Sequence, residues 1–420
     1  MANCHKLFIE FNNLIALSPK RKKTLRTSRN AVRERIRKYF HDKQNGFVPK
    51  FHGQGSFMMN TIIEPIDGEF DIDDGIYFKV DADPSQSIDT FHRWISEALD
   101  GHTKEKSVDK HTCVRLIYAR QYHLDLPIYC IIEGQNPRLA HKGKGWIESD
   151  PREFIKWFNK KADSNGQLKR VVRYLKAWSN YRKGTLPSGL VFSILAVNNI
   201  SFDERDDIAL YQTLLNIKNS LESSFTCYRP TIPFNENLLE KYSQTNKKYF
   251  LGQLDSFIRS SQKALDEKTN LKDACKAWQL QFSEERFPFE SEEFIEDSFQ
   301  VNIKYDLAID CLVSQKGWRN HPLSKMLLDK TPLFSGGKLT FHIVSHNVPA
   351  PFKVKWKVRN CGKEAIIRNQ IRGQILDDGG NHQRIETSDF FGEHFVECYI
   401  IKDNICVARH RIDVPIKGVA

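Results

Sequence analysis

A chain of 420 residues, 40% of them hydrophobic and 27% charged, has the balance of a folded protein of two or three domains and excludes a disordered or collagen-like polymer. Lys and Arg number 63 against 52 Asp and Glu, a formal net charge of +11 that suits a polyanionic partner such as nucleic acid, a nucleoside triphosphate or an acidic surface. Nine scattered cysteines without a CxxC pair, no basic leader before an apolar stretch, and apolar runs too short for a bilayer predict a soluble, cytoplasmic protein with reduced thiols and no membrane partner.

Residues 5–45 read as helix. Leu7, Phe8, Phe11, Leu14 and Ile15 recur at helical spacing, and a second amphipathic run covers Lys22 to Phe40. The basic cluster Lys20, Arg21, Lys22, Lys23 reads as a solvated face or as a contact for nucleic acid or phosphate. From Gly53 the pattern changes to short alternating runs, with strands expected over 69–80, 112–119 and 123–132. The helical period returns from Asp150 to about Glu285. There Leu168, Val171, Val172, Leu175 and Trp178 form one stripe, with Lys169, Arg170, Arg173 and Lys176 off it. An acidic, Phe-rich segment around Phe287–Phe299 reads as a linker or a docking strip. Beyond residue 332, Phe352–Val358 alternates strictly, with Phe352, Val354, Trp356 and Val358 on one face and lysines on the other. Phe395–Ile401 and Ile405–Val414 are further strands, and a small antiparallel sandwich of about 80–90 residues fits their spacing.

The stretch Gly53–Phe78 carries the chemistry. In a strand over Glu69–Phe78, Phe70 and Ile72 point one way while Glu69, Asp71 and Asp73 point the other. Same-face neighbours on one strand stand about 7 Å apart, close enough to bind the same pair of divalent ions, and without a cation they repel. Gly55 and Ser56 lie just before this strand, where glycine lets backbone N–H groups approach phosphate oxygens and the hydroxyl adds a donor. A third carboxylate, Asp125, sits between the core-facing Leu124 and Leu126, with Cys113–Tyr118 as partner strand and Ala119–Tyr122 as turn. A phosphate-gripping turn and three carboxylates are what nucleotidyl transfer needs, so Asp71, Asp73 and Asp125 are the expected catalytic and metal-binding residues. Other motifs fail. An EF-hand loop from Asp71 would place Ile76 and Ala82 where Gly and Glu belong, no GK[ST] follows a Gly-rich stretch, and Met58 stands where a dinucleotide fingerprint needs its third glycine. An acidic edge strand is the remaining structural alternative.

At these residues the sequence resembles the nucleotidyltransferase superfamily of DNA polymerase β type, and within it the bacterial cGAS/DncV-like nucleotidyltransferases (CD-NTases), which make cyclic oligonucleotides. The matching pieces are the GSF turn with Thr61, the DIDDGIYF and DLPIY strands, Gly145–Trp157, Arg173–Trp178 and Leu186–Gly189. Residues from about 335 to 416 resemble the C-terminal sensor domain AGS-C. The resemblance implies an α+β fold: a polymerase-β-like sheet core with N-terminal helices over 1–150, a helical lobe completing the nucleotide cleft over 151–300, and a linker with a small β-sandwich sensor domain over 301–420. It implies Mg²⁺ or Mn²⁺ as cofactor, two ions per site, held by Asp71, Asp73 and Asp125. It also implies nucleotide binding by Gln54, Gly55, Ser56, Lys176 and Ser188, the last two reaching the β- and γ-phosphates. Lys176 reads equally as a solvated surface lysine, and Ser188, after Pro187, equally as a helix N-cap. Trp356 and Tyr399 read as core or as base-stacking rings. The implied substrates are ATP, GTP or other NTPs, the product a cyclic di- or trinucleotide, and the role antiphage (CBASS) signalling to a separate effector. A regulatory protein partner or nucleic acid is compatible with this reading, as is conjugation of the terminus IKGVA.

Overall fold

The computed structural model describes every residue except 45, 65–69, 83, 85, 119–121, 183, 284, 285, 316, 369 and 418–420. Glu69, part of the expected turn at 119–122 and the last three residues of the chain therefore lie outside the described residues. The chain divides into two compact units, Met1–Asn270 and Leu271–Ala420. The division falls inside the 151–300 segment.

The first unit opens with α1 (His5–Ile15) and α2 (Pro19–Lys43), which begins at Ser18, whose hydroxyl accepts the Arg21 N–H, with Pro19 in the first turn. There follow β1 (Pro49–Gly53), the single turn α3 (Gly55–Met58), β2 (Phe70–Lys79), α4 (Ile88–Leu99), β3 (Val108–Asp109), β4 (Cys113–Tyr118) and β5 (Tyr122–Ile131). A hairpin of β6 (Arg138–His141) and β7 (Gly145–Glu148), not expected from the periodicity, completes the sheet. Its order is β1-β2-β5-β4-β3, with β6 added to β5 and β7 to β6. β2 and β5 run parallel, so Asp71 stands opposite His123 and Asp73 opposite Asp125. Alternation then separates two faces. Ile72, Ile76, Phe78, Leu124, Leu126 and Ile128 pack with Val32, Ile36 and Phe40 of α2 and Phe91, Trp94 and Ile95 of α4 in one buried core. The carboxylates Asp71, Asp73 and Asp125 face the other way.

The helical half resolves into α5 (Pro151–Lys161), α6 (Gln167–Arg182), α7 (Gly189–Asn199), α8 (Asp206–Ser223) and α9 (Gln244–Ala264). The stripe Leu168, Val171, Val172, Leu175 and Trp178 is buried, as expected. Asp206, fully buried, receives Arg170 in a two-point contact, Tyr174 and Gln167, and its own N–H donates to His5, which ties α1 to α8.

The second unit holds α10 (Leu271–Phe282), α11 (Ile295–Ser298), β8 (Gln300–Val301), β9 (Leu307–Ser314), β10 (His321–Pro322), α12 (Leu323–Asp329), β11 (Leu333–Phe334), β12 (Lys338–His346), β13 (Lys353–Arg359), α13 (Lys363–Ile367), β14 (Arg372–Asp377), β15 (Gln383–Thr387), β16 (Gly392–Lys402) and β17 (Ile405–Lys417). A four-stranded sheet, β10-β9-β12-β15, and a six-stranded sheet built on β11-β17-β16-β13-β14 share one core around Phe341, Trp356, Val396 and Ile412. The sandwich is thus larger than the expected one, because β8, β9, β10 and β11, all before residue 335, belong to it, and two short edge pairs, β8–β17 and β11–β17, are parallel. Trp356 and Tyr399 are 1% and 3% exposed, which makes both core residues and removes the stacking alternative.

The Phe-rich segment is neither linker nor free strip. Phe289 lies over Arg359 and Phe294 over Lys357, while Glu292 accepts from Lys357 at 2.6 Å and Arg359 at 3.1 Å. Glu296 pairs with Arg409 at 2.8 Å. The Lys357–Arg359 end of the cationic face of β13 is therefore covered by the chain's own acidic strap. All nine cysteines are free and buried, and burial pushes the thiols of Cys113, Cys227 and Cys311 up to about 12. Among the described residues no helix is long and apolar enough to cross a membrane.

Candidate active site

The carboxylate face meets one cation in the sheet itself. Arg115, on β4 opposite Asp125, donates from Nε and Nη2 to the two Asp125 oxygens at 2.6 and 2.7 Å. The same guanidinium lies 3.0 Å from Asp71 Oδ1, and His123 Nδ1 stands 3.1 Å from both groups. The repulsion expected between the carboxylates is thus partly relieved by Arg115, which sequence reasoning missed. The signal was there: a single arginine in the apolar strand CVRLIY, on the alternation that shares Asp125's face. Asp74, next along β2, points to the opposite face, is fully buried and takes Arg33 of α2 at 2.7 and 2.5 Å, so it anchors the helix and not the site.

Asp73 feels the remaining repulsion. Burial first, then the Asp125 and Asp71 charges, push its carboxyl up to about 7. A carboxyl whose pKa rises from 3.8 to about 7 on folding holds its proton more tightly when folded, so its charge opposes folding increasingly between those values and constantly above them. Asp73→Asn in EDTA at pH 8 is therefore expected to raise Tm by roughly 2–4 °C, the shift that about 1 kcal/mol makes in a domain of this size, with a smaller gain at pH 5. Equal gains at both pH values in differential scanning fluorimetry would contradict the charge origin.

The turn before β2 is shaped to approach this carboxylate. Gly55 has φ +65°, and a Cβ there would run into Asp73 Oδ2. Gly55→Ala is expected to displace Asp73 and lower kcat/KM by about 10²-fold, the cost of roughly 1 Å of misplacement, read by pyrophosphate release. Ser56 is half-buried, and its hydroxyl has no partner among the described residues. Gln54 differs from expectation in its side chain. It is 4% exposed, donates to Tyr77 Oη at 2.8 Å and accepts from Tyr129 at 3.4 Å, so the amide braces the turn against two stacked tyrosines.

α6 brings Lys176 to the same place. Its ammonium donates to the Thr61 carbonyl at 3.0 Å, and burial, then Arg173, hold its pKa down to about 8 against the attraction of Asp73. The solvated alternative for Lys176 does not hold. Arg173, one turn away and 7% exposed, donates to Asn60 and Asn12, and Lys22 of the N-terminal basic cluster donates to Asn60 at 2.8 Å. A cationic group thus surrounds the 55–61 loop. Ser188 caps α7 by accepting the Val191 N–H at 3.4 Å, while Gly189 beside it lets the Lys176 stem pass.

Among the described residues no three or more His, Cys, Asp or Glu side chains stand as an assembled metal cluster in this arrangement. The donor set nevertheless fits hard divalent cations, since Asp71, Asp73 and Asp125 share one face and hold a cationic guanidinium between two of them.

A parallel strand pair carrying three same-face aspartates behind a glycine-led turn is an arrangement suited to nucleotidyl transfer. Residues 49–129 match the family described as cyclic GMP-AMP synthase DncV-like, nucleotidyltransferase domain, and residues 289–417 match the adenylyl/guanylyl and SMODS C-terminal sensor domain. These two segments of the chain are thus similar to a DncV-like nucleotidyltransferase domain and to an AGS_C domain. The cyclic GMP-AMP synthase of Escherichia albertii is 26% identical over 392 residues, 88% of this chain and 84% of that protein. The cyclic GMP-AMP synthase of Vibrio cholerae is 26% identical over 238 residues, 44% of this chain and 55% of that protein. A solved structure of the Vibrio cholerae DncV cyclic AMP-GMP synthase with nonhydrolyzable GTP superposes with a TM-score of 0.59 at 20% identity, covering 67% of this chain and 96% of that one. That likeness is one of fold.

Proposed function

We propose that this enzyme joins nucleoside triphosphates, ATP or GTP among them, into a cyclic di- or trinucleotide that signals to a separate effector in antiphage defence. The observation that carries the reading is the β2–β5 register, which sets Asp73 beside Asp125 with Asp71 two residues away on the same face. The relatives named as cyclic dinucleotide synthases support the choice of product.

In this reading Asp71, Asp73 and Asp125 hold Mg²⁺ or Mn²⁺, two ions per site, which when bound neutralise the triphosphate and lower the pKa of the attacking ribose hydroxyl. The chain's own groups do the rest. Gly55 and Ser56 present backbone N–H groups and a hydroxyl to the donor triphosphate, with Lys176 on the far side neutralising its β- and γ-phosphates. Ser188 contributes its hydroxyl there if it exchanges its cap bond for a phosphate oxygen. Asp125 accepts the hydroxyl proton as the 3′ or 2′ oxygen bonds to the α-phosphorus and the bond to pyrophosphate breaks. Arg115, which donates to Asp125 and lies against Asp71, would add a fixed positive charge beside the metal-holding carboxylates. Residues 1–150 form the catalytic core, 151–300 the lobe that supplies Lys176, and 301–420 the sensor.

The test is incubation of the purified chain with all four NTPs and Mg²⁺ or Mn²⁺, read by mass spectrometry after phosphatase. A phosphatase-resistant cyclic product is the expected result. Transfer of nucleotide to added RNA or to protein without any cyclic species would replace the product assignment and keep the catalytic one.

A further inference from the structure

The second unit contains a cavity of about 270 Å³ between the β9–β10 hairpin and α12. Its floor is apolar, made by Val313 and Met326, which are 2% and 5% exposed. Its wall is Trp318, whose indole is 53% exposed, whereas every other tryptophan is buried or half-buried. Arg319, His321 and Lys325 stand around the rim, with Asp329 one turn beyond Lys325 on α12.

These groups are not consumed by the fold. Arg319, His321 and Lys325 make no side-chain hydrogen bond or ion pair among the described residues, and Lys325 and Asp329, at ion-pair spacing along the helix, do not meet. Several other cations of the unit are engaged: Lys357 and Arg359 by Glu292, Arg372 and Arg384 by Glu386, Arg409 by Glu296. A large exposed ring costs hydration free energy, and unpaired like charges around one cavity repel, so the arrangement is stabilised by a ligand that is flat on one side and anionic on the other.

We propose that this cavity binds a nucleoside phosphate, either free or as the phosphorylated end of a single strand. The base stacks on Trp318, as bases do on exposed aromatic rings. Arg319 takes the phosphate in a two-point contact with Lys325 and His321 adding charge. Asp329 accepts from an exocyclic amine or a ribose hydroxyl. A cavity of this size, near the lower end of ligand pockets at about 300 Å³, suits a single nucleotide. The proposal uses none of the residues assigned to nucleotidyl transfer, so it stands or falls independently of that reading.

The experiment uses full-length protein labelled with 5-fluorotryptophan, the Trp318 resonance being identified as the one missing in Trp318→Phe. Titrations in EDTA with AMP, GMP, a 5′-phosphorylated tetranucleotide and inorganic phosphate report on Trp318 directly, apart from any turnover. The expected result is movement of the Trp318 resonance with nucleotide. In Arg319→Glu/Lys325→Glu, which keeps the reporter, half-saturation moves up by about tenfold or more, as loss of two charge-assisted contacts requires. Movement with mononucleotides supports a free ligand, and movement with the tetranucleotide alone supports a strand end. A Trp318 resonance that stays in place with every nucleotide, or that responds equally to inorganic phosphate, overturns the proposal.

Discussion

Asp71→Ala/Asp73→Ala is expected to lose nucleotidyl transfer by at least about 10³-fold while the protein stays folded, because the variant removes two of the three carboxylates able to hold divalent cations. The loss should appear in the rate of the chemical step under saturating NTP, not only in KM, since charge neutralisation at the α-phosphate matters most in the transition state. Folding should not suffer. Asp71 is half exposed and Asp73 carries a strained charge, so their removal relieves repulsion instead of emptying a core. Rapid-quench measurement of pyrophosphate release, paired with a melting curve, checks both halves. Residual activity within about tenfold of the parent would mean that transfer does not depend on these carboxylates.

Glu292→Ala is expected to destabilise the second unit by about 3–5 kcal/mol. Glu292 is 8% exposed and holds Lys357 and Arg359, which are 2% and 3% exposed, so its removal leaves two buried cations with Glu397, 3.3 Å from Lys357, as the remaining carboxylate beside that lysine. The strap loses its polar anchor, although Phe289 and Phe294 still cover the same two cations. Urea unfolding of the full chain should show an earlier transition, with protease cleavage appearing in the 287–299 segment. Glu292→Leu combined with Lys357→Met and Arg359→Leu should recover part of the stability, because Glu292 and both buried cations are then replaced by apolar contact while Glu397 keeps the Tyr399 hydroxyl. A single-variant loss below about 1 kcal/mol would assign the strap's hold to its phenylalanines alone.

Much of the carboxylate face could be read from residue order. Alternation in DIDDGIYF and HLDLPIYC separates apolar from acidic positions whatever the tertiary structure, and it put Asp71, Asp73 and Asp125 on one side before any coordinates. What alternation lacks is the identity of neighbouring strands. Arg115 reaches Asp125 only because β4 lies antiparallel to β5, and that pairing is a long-range fact. Lys176 shows the same limit. It lies off the apolar stripe of α6, which made solvent and site equally good destinations, and only the approach of the 55–61 loop decides between them. The amide of Gln54, expected at the nucleotide, bonds to tyrosines 23 and 75 residues away, partners that residue order does not name. In the second unit the charged halves of one arrangement, a lysine strand and a glutamate-phenylalanine segment, were each visible, yet neither names the other. β9, β12 and β15 escaped because their outward positions carry residues such as Leu312 and Ile385, 37% and 55% exposed, which blur the polar–apolar rhythm.

The burial of every cysteine has a practical consequence. With no thiol at the surface, and with burial disfavouring the thiolates, maleimide and iodoacetamide reagents find no fast target on the folded chain. A single new cysteine, at Lys325 or Ser56 for example, then becomes the unique attachment point for a dye or spin label without any background substitutions. The native chain is in this sense already prepared for distance measurements between its two units, and for watching each of them while nucleotide arrives.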